Sequence, residues 1–587
     1  MTDNTNNIPQ DDTPWGHKWG FADTKFIANP DHSVTVTGHR YDLSNTTMPG
    51  LLPYIEEILE VKVDTTDVKP EIENKYVTKA RVNEPFHQAV AAAFNADQFS
   101  FEDETRLLRS HGQTTVDEVF TVLFGKLARS VDMVFWPESD EDAQQIIALA
   151  VEHDVVIVPF GGGTSVSCAL KLPTPEQEPR MIVAVDMRRM RKVLWVDKTN
   201  NMALVQAGIT GTQLEEALAE EGYTSGHEPD SMELSTLGGW IATNASGMKK
   251  NKYGNIEDIV QNVTMVTTHG IVEHAMSVPR SSIGIQPKDF VIGSEGNFGL
   301  ITKAVIKIHP LPEVTKFGSI VFPDMDTGIA YLEALTKTGT LPASIRLLDN
   351  IQFRFGSALK PELTSSQEMM GKVEKFALTK VLKYDPHELV VATVVMEGSK
   401  AEVDYQKKVV FGLAKKFRGT SGGEGNGKRG YMLTYAIAYL RDFMADYYAI
   451  GETYETTVPW SKIHDVLNAV HKRGHELHHE YGFPGVPYVS PRITQLYHTG
   501  VCIYFTHAFS IKGVDNAEEI FGKIEHELRG VIMENGGSIS HHHGIGKLRK
   551  DYMPQAISET SIRLIKDLKT AYDPQNVFGI RNNVLDL

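Results

Sequence analysis

Glycine and small polar residues crowd the stretch from Gly226 to Asp258, GHEPDSMELSTLGGWIATNASGMKKNKYGNIED, and no other feature constrains the chain as much. Gly226, Gly238, Gly239, Gly247 and Gly254 stand among Ser231, Ser235, Thr236, Asn244 and Ser246. Glycine lets backbone approach a ligand closely, and short hydroxyl and amide side chains supply hydrogen bonds. A single cluster of this kind is most simply a surface turn. However, PFGGGTSVS at Pro159–Ser167 and IGSEGNFGLIT at Ile292–Thr302 repeat the same chemistry. Three such loops point to one groove in which backbone N–H groups hold a diphosphate.

At 587 residues the chain exceeds a single core and should hold two or three domains. A formal charge of −17 argues against a general nucleic-acid binder, though not against a local basic pocket for a phosphorylated substrate. Cys168 and Cys502 lie far apart in apolar settings, which fits a reducing compartment better than a disulfide. The opening MTDNTNNIPQDDTPW has neither the apolar core of a secretory signal nor the arginines of a matrix-targeting helix, and the last residues NNVLDL are not a serine-lysine-leucine tail.

Hydrophobic periodicity divides the chain into four parts. Residues 1–130 read as a segment of loops and helices, with helical rhythm over Pro85–Ala96 and Thr115–Leu127. Residues 131–311 alternate strands with helices: VFWP, a helix opening at Ser139 and Asp140, then VVIVPF running directly into GGGTS, followed by the strands MIVAVDM and NMALVQAG. Leu311-Pro312 marks a boundary, beyond which residues 312–535 form an α+β domain, expected to be antiparallel. Within it, glycine occupies half of Gly419–Gly430, so a mobile loop is expected there, closing with Lys428 and Arg429 on an anion. Residues 536–587 form a C-terminal segment.

Several residues could carry chemistry. His541, His542 and His543 cannot all face inward on a strand, so a turn is implied; as adjacent residues they make poor metal ligands, and no metal site is assigned. Tyr504 lies in the apolar strand GVCIYFTHAF, sharing a face with Cys502 and Thr506; it is either a core tyrosine or an acid–base group, and in the second case it needs a neighbour, for which the three imidazoles are available. Arg441 in AYLRDF and Arg346 in SIRLLD each need an anion if buried; that anion is either a ligand or the nearby Asp442 or Asp349. His227 is either a functional group or a residue that shapes the loop.

The three loops together resemble the flavin domain of the vanillyl-alcohol-oxidase family. PDSMELSTLGGWIATNASGMKKNKYGNIED, PASIRLLDN, RGYMLTYAIAYLRD and NGGSISHHHGIGKLRK look like those of its members that begin ether-lipid synthesis. The resemblance implies an α+β chain with the family's FAD-binding fold, an α+β cap domain, an N-terminal helical segment and a tail returning to the FAD domain. It implies FAD as cofactor, contacted by Pro159, Phe160, Gly161, Gly162, Gly163, Thr164 and Ser165 in the first loop. Asp230, Ser231, Met232, Glu233, Leu234, Ser235 and Thr236 follow, with Thr243, Asn244, Ala245 and Ser246. Glu295, Gly296, Asn297, Phe298, Gly299, Leu300 and Ile301 complete the set. FAD is expected to be non-covalent, because Gly163 stands where flavin-tethering relatives carry histidine.

The implied reaction exchanges the acyl chain of acyl-dihydroxyacetone phosphate for a long-chain fatty alcohol, through attack of reduced flavin N5 and with no net redox change. Tyr504 would move the proton, with His541, His542, His543 and His227 in the catalytic set, and Arg441 and Arg346 would bind substrate. Peroxisomal location, peripheral membrane association and a homodimer are implied at family level. The alternative is an FAD-dependent D-2-hydroxyacid dehydrogenase. Those enzymes carry a metal motif where HTGVCIYFTH here keeps His498 and His507 but places apolar residues between them.

Overall fold

The computed structural model describes residues 14, 15, 17–72, 76–361 and 377–585. The chain forms two compact units, Met1–Pro70 with Pro312–Ser538, and Glu71–Leu311 with Ile539–Leu587. The stretch read from sequence as one N-terminal segment over 1–130 is therefore divided at Pro70, because its first part makes its contacts with residues far along the chain. Trp19 N, for example, donates to Asp442 Oδ2 at 2.8 Å.

The unit containing the glycine-rich loops has two principal sheets. In the first, Met133–Phe135, Ile182–Asp186 and Val156–Phe160 run parallel, with Phe99–Ser100 antiparallel at one edge. Strands buried on both faces need continuous apolar sequence, and IVAVD is buried throughout. Ile157 and Val183 pack with Ile146 and Ile147 of the helix Asp140–Glu152, while Val158 and Ala184 join a second cluster. Ser139 caps that helix by accepting from Asp142 N at 3.1 Å. The second sheet is antiparallel, in the order Gly270–Val272, Val260–Thr267, Leu300–Lys307, Met202–Gln206, Val193–Asp197. Its Val205, Val263 and Ala304 pack with Leu214, Trp240 and Ile241.

The other unit is built on a seven-stranded antiparallel sheet, in the order Thr420–Ser421, Val314–Phe322, Val390–Gly398, Ser344–Leu348, Tyr488–Leu496, Gly500–Ser510, Ala449–Pro459. Period-two alternation separates its faces. Ile345, Val394, Ile493, Ile503 and Phe505 are buried on one face. On the other, register sets Arg346 opposite Thr393, Leu348 opposite Arg492, and Tyr504 opposite both Arg492 and Glu455.

One expectation is corrected. Residues 419–430 are not a glycine-rich loop: they contain the strand Thr420–Ser421 and the start of a helix over Glu424–Asp446. Four of the six glycines, Gly419, Gly422, Gly427 and Gly430, serve close approach. A Cβ on Gly427 would stand 2.2 Å from Gly318 O, and one on Gly430 would stand 2.8 Å from Thr393 Cγ2. The helix lies this near the sheet because those side chains are missing.

Candidate active site

Within its own unit, the structure brings all three glycine-rich loops and the histidine turn into direct contact. The first loop leaves the strand Val156–Phe160 and packs on the second so closely that a Cβ on Gly162 would stand 2.0 Å from Leu234 O. A Cβ on Gly161 would meet Thr236 Oγ1 at 2.5 Å. Gly163 has φ +70°, a left-handed conformation that disfavours any side chain, histidine included. The third loop joins them where Glu295 N donates to Ala242 O at 2.8 Å and where a Cβ on Gly296 would lie 3.4 Å from Pro159 Cγ.

The second loop is held by its own hydroxyls. Thr236 Oγ1 accepts from Gly239 N at 3.2 Å, Ser235 Oγ accepts from Trp240 Nε1 at 2.8 Å, and Leu234 N and Ser235 N close a turn on Ser231 O. Asp230, Met232 and Glu233 flank that turn, half-buried. After the short helix, Thr243 Oγ1 donates to Gly239 O, Asn244 takes a left-handed φ of 54°, and Ser246 Oγ donates to Asn255 Oδ1, beside buried Ala245. In the third loop the side chains of Phe298, Leu300 and Ile301 belong to the core, and a Cβ on Gly299 would meet Val266 O at 2.4 Å. The side chains at these positions are therefore spent on the fold.

Glu295 links the third loop to the histidine turn. Its Oε1 accepts from Ile545 N at 2.6 Å and from Gly546 N at 3.1 Å, and Asn582 Nδ2 donates to its main-chain oxygen at 2.9 Å. Burial pushes its carboxyl pKa up, while the two amides and Asn583 hold it down. Asn297 Oδ1 accepts from Asn582 N, and Lys547 N donates to Ser167 O, so the tail is sewn to the first and third loops. His541–His543 form a bend with ring centroids 4.9 and 4.6 Å apart. His541 Nδ1 and His542 Nδ1 are 2.7 Å apart, a geometry that holds one proton between two nitrogens.

His227 is 2% exposed and packs on Trp240 at 4.7 Å. Burial, then the neighbouring His542, lowers its pKa to about 3, so it is neutral at ordinary pH. Among the described residues neither of its ring nitrogens has a hydrogen-bond partner. A buried imidazole without partners costs free energy unless something else binds there. Likewise, among the described residues no protein group accepts from the amides of Gly162, Gly163, Thr164 or Ser165. Unengaged amides, glycines that admit no Cβ, and a partnerless buried histidine suit a diphosphate-bearing cofactor.

Tyr504, Arg441 and Arg346 lie in the other unit. Tyr504 is half-buried; its hydroxyl is 3.0 Å from Thr453 Oγ1 and the Arg492 guanidinium covers its ring at 4.5 Å. Arg346, 4% exposed, donates to Gly430 O at 3.3 Å and Tyr431 O at 3.4 Å and lies 4.8 Å from the Tyr431 ring. The Asp349 carboxylate accepts from Ser490 Oγ at 2.6 Å and Gln352 N at 2.9 Å. Arg441 donates through Nε and Nη2 to Asp442 Oδ1 at 2.8 and 2.5 Å, and Asp442 also takes the Trp19 amide. Its fork is thus pre-oriented by a neighbouring carboxylate.

Sequence reasoning passed over three residues. Gln113 N donates to Gly163 O at 2.8 Å and its Nε2 to Gly162 O at 3.2 Å, bracing the first loop. Arg188 lies 5.5 Å from the Phe160 ring and, with Arg109, is paired to buried Asp186. Burial alone would raise that carboxyl, but Arg188 and Arg109 hold it down at about 2. Arg492 was signalled only by a cation in the alternating strand YVSPRITQL, and its place over Tyr504 needs the strand register.

Comparison with known proteins agrees with this geometry. Residues 131–275 match an FAD binding domain, and residues 311–580 match the C-terminal domain of FAD linked oxidases. A solved structure of p-cresol methylhydroxylase, at 15% identity, superposes with a TM-score of 0.64 over 86% of this chain and 98% of its own. Together these define a two-domain flavoprotein with FAD-linked-oxidase domains and the vanillyl-alcohol-oxidase fold, with FAD as its cofactor.

Within that class the match is narrower. Alkyldihydroxyacetonephosphate synthase of Caenorhabditis elegans is 40% identical over 96% of this chain and 94% of that protein. The enzyme of the same name from Dictyostelium discoideum is 31% identical over 96% and 92%. A crystal structure of alkyldihydroxyacetonephosphate synthase, 27% identical, superposes with a TM-score of 0.83 over 98% of this chain and 99% of its own. The chain belongs to the alkyldihydroxyacetonephosphate synthase family.

Proposed function

We propose that this protein is an FAD-dependent transferase that converts acyl-dihydroxyacetone phosphate and a long-chain fatty alcohol into alkyl-dihydroxyacetone phosphate and a fatty acid, in ether-lipid biosynthesis. The observation that carries the reading is 40% identity, over 96% of the chain, to an enzyme named for that reaction. The D-2-hydroxyacid dehydrogenase alternative loses to it on that ground and because Val501, Cys502, Ile503, Tyr504 and Phe505 stand between His498 and His507 where those enzymes carry their metal motif.

The loops over 159–165, 230–236, 243–246 and 295–301 hold the FAD, mostly through backbone amides, without a covalent bond at Gly163. When bound, FAD would supply the electronic partner for the substrate's C1 carbon while acylate leaves with its bonding pair and the alcohol enters, with no net change of oxidation state. The chain's own groups do the rest. Arg441, oriented by Asp442, takes the substrate phosphate as a bidentate donor, because a planar fork matches two phosphate oxygens. Arg346 is the second substrate-binding candidate. Tyr504 Oη moves the proton at the substrate's C1 carbon; Thr453 fixes its hydroxyl, and Arg492 supplies the cation that steadies charge on the phenol oxygen. His541, His542 and His543 act as a proton-holding group, and neutral His227 is a hydrogen-bonding partner for the cofactor. The protein would work as a homodimer, peripherally attached to a peroxisomal membrane.

Anaerobic mixing separates the two readings. A dehydrogenase bleaches its flavin absorbance with D-lactate or a similar hydroxy acid, whereas this enzyme should keep its flavin spectrum. Lasting bleaching by a hydroxy acid would overturn the reading.

A further inference from the structure

Between Glu273 and Asp289 the chain carries Arg280 and Lys288 and no carboxylate, within a protein of net charge −17. The same stretch presents Met276 at 62% exposure, Ile283 at 60% and Ile285 at 89%. Ile271, on the adjoining edge strand Gly270–Val272, adds another exposed apolar side chain. Large aliphatic side chains at such exposure are costly unless something covers them.

These side chains do not hang from a loose segment. Asn262 Nδ2 donates to His274 O at 2.5 Å, and Gln261 Nε2 donates to Val278 O, so two side chains of the strand Val260–Thr267 hold the loop's first half. Gln286 Nε2 donates to Ser281 O at 3.0 Å and to Gly284 O at 3.3 Å, closing the tip over residues 281–286 on itself. Gly284 has φ +95° and nothing within 4 Å of a Cβ position, as a tight exposed turn requires. The loop is thus held through its main-chain oxygens, while isoleucines and a methionine project outward beside an arginine and the exposed Ser277 and Ser282.

We infer that the loop 274–288 is the surface by which this protein rests on a lipid bilayer, with Met276, Ile283 and Ile285 entering the headgroup–acyl boundary and Arg280 at the phosphates. Apolar tips with a local cation and no acid are the pattern that interfacial segments use, and a carboxylate-free loop spares a −17 protein repulsion at the contact. The inference deepens the proposed function, whose fatty alcohol resides in membranes, but its test does not depend on turnover.

The test is flotation of full-length, FAD-loaded protein with phosphatidylcholine vesicles carrying hexadecanol, with sedimentation velocity on the same samples. The double variant Ile283→Glu/Ile285→Glu should keep its FAD spectrum, melting temperature and sedimentation coefficient while losing vesicle partitioning by about tenfold or more for each side chain. Arg280→Ser should lose less, and only when phosphatidylserine is present. Undiminished flotation of the double variant would overturn the inference. So would normal flotation with a changed sedimentation coefficient, which would make the patch a contact between copies. Vesicle binding without ether-lipid product would leave the surface standing and sink the proposed reaction alone.

Discussion

Gly162→Ala tests the account of the cofactor loops at its tightest point. The added Cβ would stand 2.0 Å from Leu234 O, 2.6 Å from Leu234 C and 2.9 Å from Ser235 Cα. All three obstacles are backbone, so no rotamer change relieves them. Reaching ordinary contact at 3.4 Å requires the first and second loops to part by 1.4 Å at Leu234 O, the difference between 3.4 and 2.0 Å. Overpacking against side chains costs about 1–3 kcal/mol, and a backbone obstacle belongs at the upper end. If about 3 kcal/mol falls on the cofactor-bound form, FAD affinity drops by roughly a hundredfold. The assay is titration of flavin-stripped protein with FAD, read by fluorescence quenching, alongside thermal melting. Gly522→Ala is the control: that glycine lies inside the helix Ala517–Glu534 with nothing within 4 Å of a Cβ, so alanine should stabilise by roughly 0.5–1 kcal/mol. Gly162→Ala binding FAD as tightly as the parent protein would refute the loop packing described here.

Other consequences can be measured directly. Tyr504→Phe should bind FAD and substrate yet turn over slower by about two to four orders of magnitude, the usual worth of a positioned acid–base group; full activity would remove the tyrosine from the mechanism. Arg441→Lys should retain FAD but lose most activity, through a raised KM for the phosphorylated substrate; near-normal KM would move phosphate binding elsewhere, Arg346 first. His507 is fully buried among Tyr454, Phe509 and Phe521, and burial, then His478 and His475, lowers its pKa to about 3, against 6.5 in an unfolded chain. Below pH 6.5 the unfolded state therefore takes up a proton that the folded state refuses. Stability is untouched above that pH and falls beneath it by up to about 1.4 kcal/mol per pH unit. Denaturant melts of His507→Leu between neutral pH and pH 4 should show a shallower decline than the parent's; parallel declines would contradict this.

Much of this was legible because it is local. Ser139 opens its helix, VVIVPF runs into the first loop, and three adjacent histidines make a bend, each outcome dictated by neighbours in sequence. The loops were recognisable for the same reason: a backbone that must pack as closely as Gly162 does on Leu234, or turn left-handed as at Gly163, needs glycine at that position. Residues 419–430 differ from expectation because Gly427 and Gly430 answer to Gly318 and Thr393, residues far off in the chain, and local composition cannot tell close packing from freedom. Arg492 was invisible because strand pairing alone sets it over Tyr504. Glu295, chosen as a cofactor contact, spends its carboxylate on the amides of Ile545 and Gly546, a pairing that no spacing in the sequence announces.

The most direct test of the central claim is product analysis after incubating the FAD-loaded protein with acyl-dihydroxyacetone phosphate and labelled hexadecanol. Exchange predicts alkyl-dihydroxyacetone phosphate and free fatty acid in equal amounts, with the label in the ether, no peroxide, and an unchanged flavin spectrum at the end. Label remaining in the alcohol, or peroxide formed in step with substrate loss, would contradict it.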